Sequence, residues 1–250
     1  MAQIVVVGAG VVGTATGLGF ARVFVAVPTP TGERGLDPAH LIAASHNIAA
    51  ALRRATRQTF TTIVYRSTVL PGTTRRMAEI VQAGSGARLG GDFGVAYNPE
   101  YLRQATAAAD FAAPPLITLG VVGDDERSAR MSRRLYGPFD ARVEFAEVEA
   151  AELQKYVHNL FNAVKISFFN EMRAAAARLG VADVDTVFQI TASTAEGMRD
   201  PVYGVADLGP YGGACLPKDT AAWLAEMRRL GIESPVVAGA QAVNLALGGR

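Results

Sequence analysis

The chain has 250 residues, half of them hydrophobic and 19% charged, enough for a sizeable core in one large domain or one domain and part of another. With 24 basic against 23 acidic residues the net charge is +1, which offers no basic stripe for nucleic acid and no acidic tail. One cysteine excludes a disulfide framework, and three scattered histidines give no metal-binding spacing. No apolar run approaches the ~20 residues that span a bilayer, and the opening run Ile4–Val7 lacks the basic flank of a secretory signal. A cytoplasmic protein free of membrane is expected.

Gln3 to Val7 is a continuous apolar, β-branched run, the pattern of a strand buried on both faces of a parallel sheet. It leads into Gly8-Ala9-Gly10-Val11-Val12-Gly13 and a small-residue helix to about Phe20, the GxGxxG fingerprint in its strand–turn–helix context. Gly8 allows the tight turn, Gly10 lets a pyrophosphate approach, and Gly13 lets the helix pack on the strand. Val11 and Val12 open the helix whose N-terminus faces the anion. The bland alternative is a glycine turn that only packs a helix tightly. Phe20-Ala21-Arg22 then runs straight into a second buried strand, Val23 to Val27, where a connection of about 2–6 residues is usual. That strand ends in Pro28-Thr29-Pro30 and not in the acid that takes ribose hydroxyls; Glu33 lies beyond the turn. A segment between residues 20 and 23 is therefore expected to be absent.

Asp37-Pro38 starts a helix to about Arg54, with an Asp cap and Pro in the first turn. Thr61–Tyr65 is a strand ending in Arg66-Ser67-Thr68, followed by Pro71-Gly72-Thr73-Thr74 and a helix to about Gln82. After a glycine-rich loop, strand Phe93–Ala96 ends in Tyr97-Asn98-Pro99-Glu100. Strand Leu116–Leu119, helix Asp124–Tyr136 and strand Arg142–Phe145 complete an alternation that implies a Rossmann-like, doubly wound parallel α/β sheet over residues 1–146. From Glu147 one long helix runs to Gly180; at about 1.5 Å per residue it reaches roughly 50 Å, enough for a domain spine or dimer strut. Lys155 and Asn159 share a face of it, ringed by Leu153, Tyr156, Leu160 and Val164, so that face is read as partly buried. Asp183 caps a helix to about Ser193, an irregular stretch from Glu196 to Pro210 carries Arg199, and helices Asp219–Leu230 and Ser234–Leu247 close a helical domain over 147–250.

The stretch Gly212-Gly213-Ala214-Cys215-Leu216-Pro217-Lys218-Asp219 holds the one cysteine. A thiol kept for packing is usually flanked by apolar neighbours. Here glycines let the backbone approach a ligand, and Lys218 and Asp219 bring a cation and a proton acceptor close by. Cys215 therefore reads as a nucleophile in preference to an inert core residue.

In order along the chain, these motifs resemble the UDP-glucose/GDP-mannose dehydrogenase family, whose members oxidise the C6 hydroxyl of a nucleotide sugar to a carboxylate in two NAD-dependent steps. The resemblance lies in the Val-Gly-Ala-Gly-x-Val-Gly start, Val25-Ala26-Val27-Pro28-Thr29-Pro30, Ser67-Thr68-Val69-x-Pro71-Gly72-Thr73 and Asn98-Pro99-Glu100-Tyr101-Leu102-Arg103. It continues through Asp110-Phe111, Lys155-x-x-x-Asn159, Phe169-Asn170-Glu171 and the cysteine stretch. It implies that Cys215 is the nucleophile, that Lys155, Asn159 and Asp219 hold or activate the water and oxyanion around C6, and that Glu100 is the general base of thioester hydrolysis with Thr68 positioning its water. Gly8, Gly10, Val11, Val12, Gly13, Pro28, Thr29, Ser67, Thr68 and Lys218 would contact NAD. Tyr101, Leu102, Tyr211 and Gly212 would line the sugar pocket with Lys155 and Asn159. Arg199 would reach the neighbouring subunit's site in a homodimer built through the long helix.

Three departures from the family pattern stand out. Gln104 replaces a second glutamate, the family's second strand with its ribose-binding acid is missing before Val23, and the chain ends at Arg250, ahead of the domain that holds the nucleotide. Segments of a longer polypeptide are therefore expected to be omitted. UDP-glucose, or a TDP-glucose variant, is the expected substrate on prevalence alone, with GDP-mannose as the alternative. A β-hydroxyacid dehydrogenase, which transfers one hydride and needs no thiol, and a non-catalytic nucleotide-binding remnant are the rival readings.

Overall fold

In the computed structural model, which describes residues 6–7, 23–32, 35–54, 60–102, 106–205 and 209–249, the apolar β-branched runs become strands of one six-stranded sheet. The strands are β1 (Val6–Val7), β2 (Val23–Val25), β3 (Thr31–Gly32), β4 (Gly35–Leu36), β5 (Thr61–Tyr65), β6 (Phe93–Tyr97), β7 (Leu116–Val121) and β8 (Arg142–Glu147). The sheet order is β1-β2-β5-β6-β7-β8, with β3 and β4 forming a separate antiparallel pair. β1 and β2 are direct parallel neighbours, Val6 opposite Phe24, although residues 8–22 between them lie outside the described residues.

The sheet is not parallel throughout, as the strand–helix alternation implied. β2, β5 and β6 run parallel, but β7 is antiparallel to β6, pairing Ala96 with Val121 and Tyr97 with Gly120. A parallel neighbour needs a crossover that carries the chain back along the strand. Between β6 and β7 the described residues hold only the short helix Ala107–Ala112, so the chain turns back from the edge it has reached. β8 follows β7 in parallel along its whole length.

Alternate residues of the central strands are buried on opposite faces, as period two requires. Val25, Ile63 and Tyr65 enter one core cluster with Leu41, Ala44, Met77 and Val81 from α1 (Ala39–Arg54) and α2 (Thr73–Ser85). Phe24 and Val64 face the other cluster, with Ile117, Leu119 and Tyr136. Each fully buried Val, Ile or Phe contributes ~1.5–3 kcal/mol, so these two layers dominate the stability of the sheet region. Completing the helices, α3 (Ala107–Ala112) is followed by α4 (Glu126–Tyr136), α5 (Val148–Arg178), α6 (Val184–Thr194), α7 (Glu196–Arg199), α8 (Leu216–Leu230) and α9 (Pro235–Ala246). Their starts follow the sequence: Asp37 Oδ1 accepts from the Ala39 N–H at 2.9 Å and Asp183 from the Thr186 N–H at 3.2 Å. Gly180, at φ 74°, ends α5 in the left-handed conformation that lets Val181 N–H reach the Ala176 carbonyl.

The chain divides into two units, Met1–His158 and Asn159–Arg250, with the boundary inside α5. Gly120 in β7 fixes the start of that helix, because a Cβ there would come within 2.7 Å of Val148 Cα. In the second unit Ala175, Leu224 and Met227 are buried, while Leu160, Phe161, Val164 and Ile166 remain exposed. The face read as partly buried is therefore split: Lys155 is buried, but Asn159 and its neighbours Leu153, Leu160 and Val164 are exposed. α8 begins at Leu216, three residues earlier than the sequence suggested, because Pro217 is favoured in a first helical turn. The stretch read as irregular contains α7. Among the described residues no helix is long and apolar enough to cross a membrane, and no group of three or more His, Cys, Asp or Glu could hold a metal ion.

Candidate active site

In the first unit, Pro28 and Thr29 follow β2 and Ser67 and Thr68 follow β5, at the C-terminal edge where open α/β sheets take their ligands. Hydrogen bonds stitch the two segments together. Arg66 N–H donates to the Val25 carbonyl (2.9 Å), Ser67 Oγ to that of Val27 (2.7 Å) and Thr29 Oγ1 to that of Thr68 (3.0 Å). Paired parallel strands ending in small hydroxyl residues fit a dinucleotide laid across them. Gly8, Gly10, Val11, Val12 and Gly13 lie outside the described residues, as do Glu33, Arg103 and Gln104.

Helix α2, which follows this segment, has Gly72 at its N-cap and so no side chain of its own to accept the orphan amides. Glu152 on α5 supplies the acceptor: Gly72 N–H donates to Oε2 (2.6 Å) and Thr74 N–H to Oε1 (2.7 Å). The carboxyl is fully buried, and burial pushes its pKa above the ordinary glutamate value against the pull of those bonds. Sequence reading missed Glu152; the available signal was a helix opening on glycine with no capping side chain.

After β6, Asn98 begins a segment pinned at both ends. Its N–H donates to the Tyr65 carbonyl (2.9 Å) and its Nδ2 to that of Thr118 (2.7 Å), while its Oδ1 accepts from Arg66 Nη1 and the Tyr136 hydroxyl. Two residues on, the Glu100 carbonyl accepts from Lys155 Nζ. Its carboxylate lies 3.4 Å from that ammonium and accepts from Leu102 N–H at 2.6 Å. Both charged side chains are largely withdrawn from water, Lys155 to 5% exposure and Glu100 to 16%. Burial holds the Lys155 pKa below the ordinary lysine value, with the Glu100 carboxylate opposing the shift. The Tyr101 ring lies 5.3 Å from the Lys155 ammonium, and its hydroxyl donates to Gln154 Oε1 within reach of Thr118 Oγ1 (3.0 Å). Leu102 is half-buried beside them. A desolvated lysine facing a carboxylate marks a candidate site, because perturbed ionisable groups cluster where chemistry is done.

In the second unit Cys215 is exposed at the N-cap of α8, not packed in a core. Gly213 before it takes φ 79°, and nothing lies within 4 Å of a Cβ built on Gly212, so the backbone is open to a ligand. Asp219 N–H closes the first turn onto the Cys215 carbonyl (2.8 Å), and Lys218 pairs with Asp219 at the surface. Tyr211 is half-buried; Arg199, the last residue of α7, and Asn159 are exposed. Glu171, from a motif without an assigned role, accepts from Ser234 Oγ (2.5 Å), Val236 N–H (2.6 Å) and Val237 N–H (3.4 Å), capping α9 from another helix. The structure thus groups Pro28, Thr29, Ser67 and Thr68, groups Glu100, Tyr101 and Lys155, and places Cys215, Lys218 and Asp219 in one helical turn. The first two groups lie in the first unit and the third in the second.

The sequence model of the UDP-glucose/GDP-mannose dehydrogenase family, NAD binding domain, matches residues 21–140, and that of the family's central domain matches residues 149–246. GDP-mannose 6-dehydrogenase of Pseudomonas aeruginosa is 33% identical over 216 residues, covering 86% of this chain and 48% of its own. UDP-glucose 6-dehydrogenase of the same organism is 36% identical over 228 residues, covering 89% and 48%. The crystal structure of a ternary complex of GDP-mannose dehydrogenase from Pseudomonas aeruginosa superposes with a TM-score of 0.84 at 31% identity, over 93% of this chain and 53% of that one. The chain spans about half the length of the curated relatives it matches. NAD is the cofactor that the matched N-terminal domain binds. With both domain models aligned in order along it, the chain belongs to the UDP-glucose/GDP-mannose dehydrogenase family.

Proposed function

We propose that this protein works in the NAD-dependent four-electron oxidation of the C6 alcohol of a nucleotide sugar to the uronic acid. The observation that carries the reading is Cys215, exposed at the start of α8 behind two glycines. A two-electron β-hydroxyacid dehydrogenase would need no such thiol. Pro28, Thr29, Ser67 and Lys218 would hold the NAD that supplies the hydride acceptor, a fresh molecule for each of the two steps. In the first, Lys155 or Asp219 would take the alcohol proton through water, leaving an aldehyde. Cys215 would then add its sulfur to the aldehyde carbon, giving a thiohemiacetal that can release the second hydride and become a thioester. The Lys155 cation and the Asn159 amide would stabilise the oxyanion; one good donor in such a role is worth ~3 kcal/mol. Glu100, with Thr68 holding the water, would accept the proton of the water that frees the acid and returns the thiol. Tyr101, Leu102, Tyr211 and Gly212 would bound the sugar.

UDP-glucose, or its TDP analogue, is the substrate proposed first. GDP-mannose is the second reading, favoured by the 0.84 TM-score to a GDP-mannose dehydrogenase. A homodimer through α5 is supported by the exposed apolar stripe Leu153, Val157, Leu160, Phe161 and Val164 along that helix, and Arg199 would serve the partner's site. An exposed nucleophilic thiol needs reducing surroundings, which supports a cytoplasmic location. The test is stoichiometry with each nucleotide sugar in turn. Two NADH per sugar, and none from Cys215→Ala at steady state, is the expected result. One NADH per substrate with Cys215→Ala tolerated would exclude the reading, and NAD binding without turnover on any nucleotide sugar would leave a non-catalytic binder.

A further inference from the structure

We propose that Arg66 is a positioning residue for Glu100: by holding Asn98 it fixes the segment 98–102 that presents the carboxylate. The inference rests on Glu100 acting as the general base described above. Arg66 is buried to 5% exposure, yet among the described residues no carboxylate pairs with it. Its guanidinium instead meets Asn98 Oδ1 and the Tyr136 hydroxyl (3.3 Å), and its Nε has no partner. A buried charge without a counter-ion is costly, and an apolar side chain would fill the place more favourably if packing were the only need.

What the guanidinium holds is an amide with all its polar groups engaged. Asn98 Oδ1 accepts from two donors, Nδ2 donates to the Thr118 carbonyl and the backbone N–H to that of Tyr65. Pro99, with its fixed φ, stands between Asn98 and Glu100, so the orientation of one carries to the other with little slack. Lys155 secures the far end through the Glu100 carbonyl. Both bonds leave Nη1, whose place is set by the planar guanidinium; a lysine ammonium has donors enough for both but sits on a shorter, more flexible stem and is not held at that point.

In thioester hydrolysis the water oxygen bonds to the carbonyl carbon, its proton passes to Glu100, and the C–S bond breaks to release the acid and the Cys215 sulfur as thiolate. No electrons are exchanged. A misplaced Glu100 slows this step after both hydrides have left, so a sugar–Cys215 adduct should build up. The protein would be mixed with excess NAD and UDP-glucose or GDP-mannose, whichever it turns over, quenched, and weighed intact. Arg66→Lys should accumulate the adduct and lose ~10–100-fold in kcat, the scale of a 1 Å misplacement, with KM for NAD unchanged. Tyr136→Phe, which removes one hydroxyl, should shift the same way by less and serves if Arg66→Lys does not fold. Glu100→Gln is the reference. Adduct in Glu100→Gln but none in a folded Arg66→Lys or in Tyr136→Phe would overturn the role of Arg66. No adduct in Glu100→Gln would remove the general-base reading itself, and this inference with it.

Discussion

Glu171 gives the sharpest test of how the second unit is held together. Glu171→Ala removes the acceptor for Ser234 Oγ at 2.5 Å, for Val236 N–H at 2.6 Å and for the weaker Val237 N–H at 3.4 Å. Hydrogen bonds to a charged acceptor contribute ~1.5–3 kcal/mol each when water is excluded. Glu171 is only half-buried, so water can replace part of each bond, and ~1 kcal/mol for each of the two short ones is the appropriate scale. Loss of a negative charge from the α9 N-terminus adds about 0.5 kcal/mol, bringing the expected destabilisation to about 2–3 kcal/mol. The chain carries its own reporter. Trp223 is the one tryptophan, and its Nε1–H donates to Ser234 Oγ at 3.0 Å, inside the same network. Urea unfolding followed by tryptophan fluorescence therefore reads this unit, and at a slope of ~2 kcal/mol per molar the midpoint should fall by about 1 M. Glu171→Gln, which keeps one acceptor oxygen, should fall about half as far. A midpoint for Glu171→Ala within about 0.2 M of the parent would show that the cap carries no appreciable stability.

Two further outcomes follow from the first unit. Gly120→Ala would set a Cβ 2.7 Å from Val148 Cα and 3.0 Å from Ala151 Cβ, forcing β7 and the first turn of α5 apart. It should destabilise by about 2 kcal/mol and lower Tm by ~4–8 °C in calorimetry; an unchanged Tm would refute that contact. Burial sets the Lys155 pKa below the ordinary lysine value, so the inflection it gives in kcat/KM against pH should fall below ~10.4. Because the folded state binds the Lys155 proton less tightly than the unfolded one, this residue's contribution to stability rises with pH across that window. Glu100→Gln removes the opposing carboxylate and should move the inflection lower still, read in this variant from the pre-steady-state NADH burst because it stalls before hydrolysis; movement upward would mean the pair is not coupled as described.

Much of the architecture was legible because it is local. The β-branched runs at Val23 and Thr61, the Asp caps at residues 37 and 183 and the glycine end of α5 each follow from neighbours in sequence. The reversal of β7 was not, since strand direction depends on the path of residues 98–115 and not on any strand's composition. Glu152 and Glu171 escaped for a related reason. Each reads as an ordinary surface acid on a helix, and the amides it serves lie some 80 and 65 residues away. Arg66 stands in the sequence only as the first residue after a strand, and the packing of α4, which brings Tyr136, shows that it is buried. Lys155 and Glu100 each came from family resemblance, in separate roles; their pairing is visible only in the structure, and no spacing in the chain predicts it.

The reversed strand also shapes the space beside Tyr101. β7 overlaps β6 only at its last residues, so Leu116–Leu119 project beyond Tyr97 by roughly 13 Å while staying paired with β8 throughout. This projecting ribbon is not a free edge: Ile117 and Leu119 are buried in the core cluster with Phe24 and Val64. Thr118, near its middle, offers its hydroxyl to Tyr101 and its carbonyl to Asn98. The segment that carries Glu100 therefore leans on laddered backbone, and its position is set by strand register. A register shift in this ladder would displace Asn98 and everything it anchors, so the place of Glu100 is tied to a pairing made some twenty residues further along the chain.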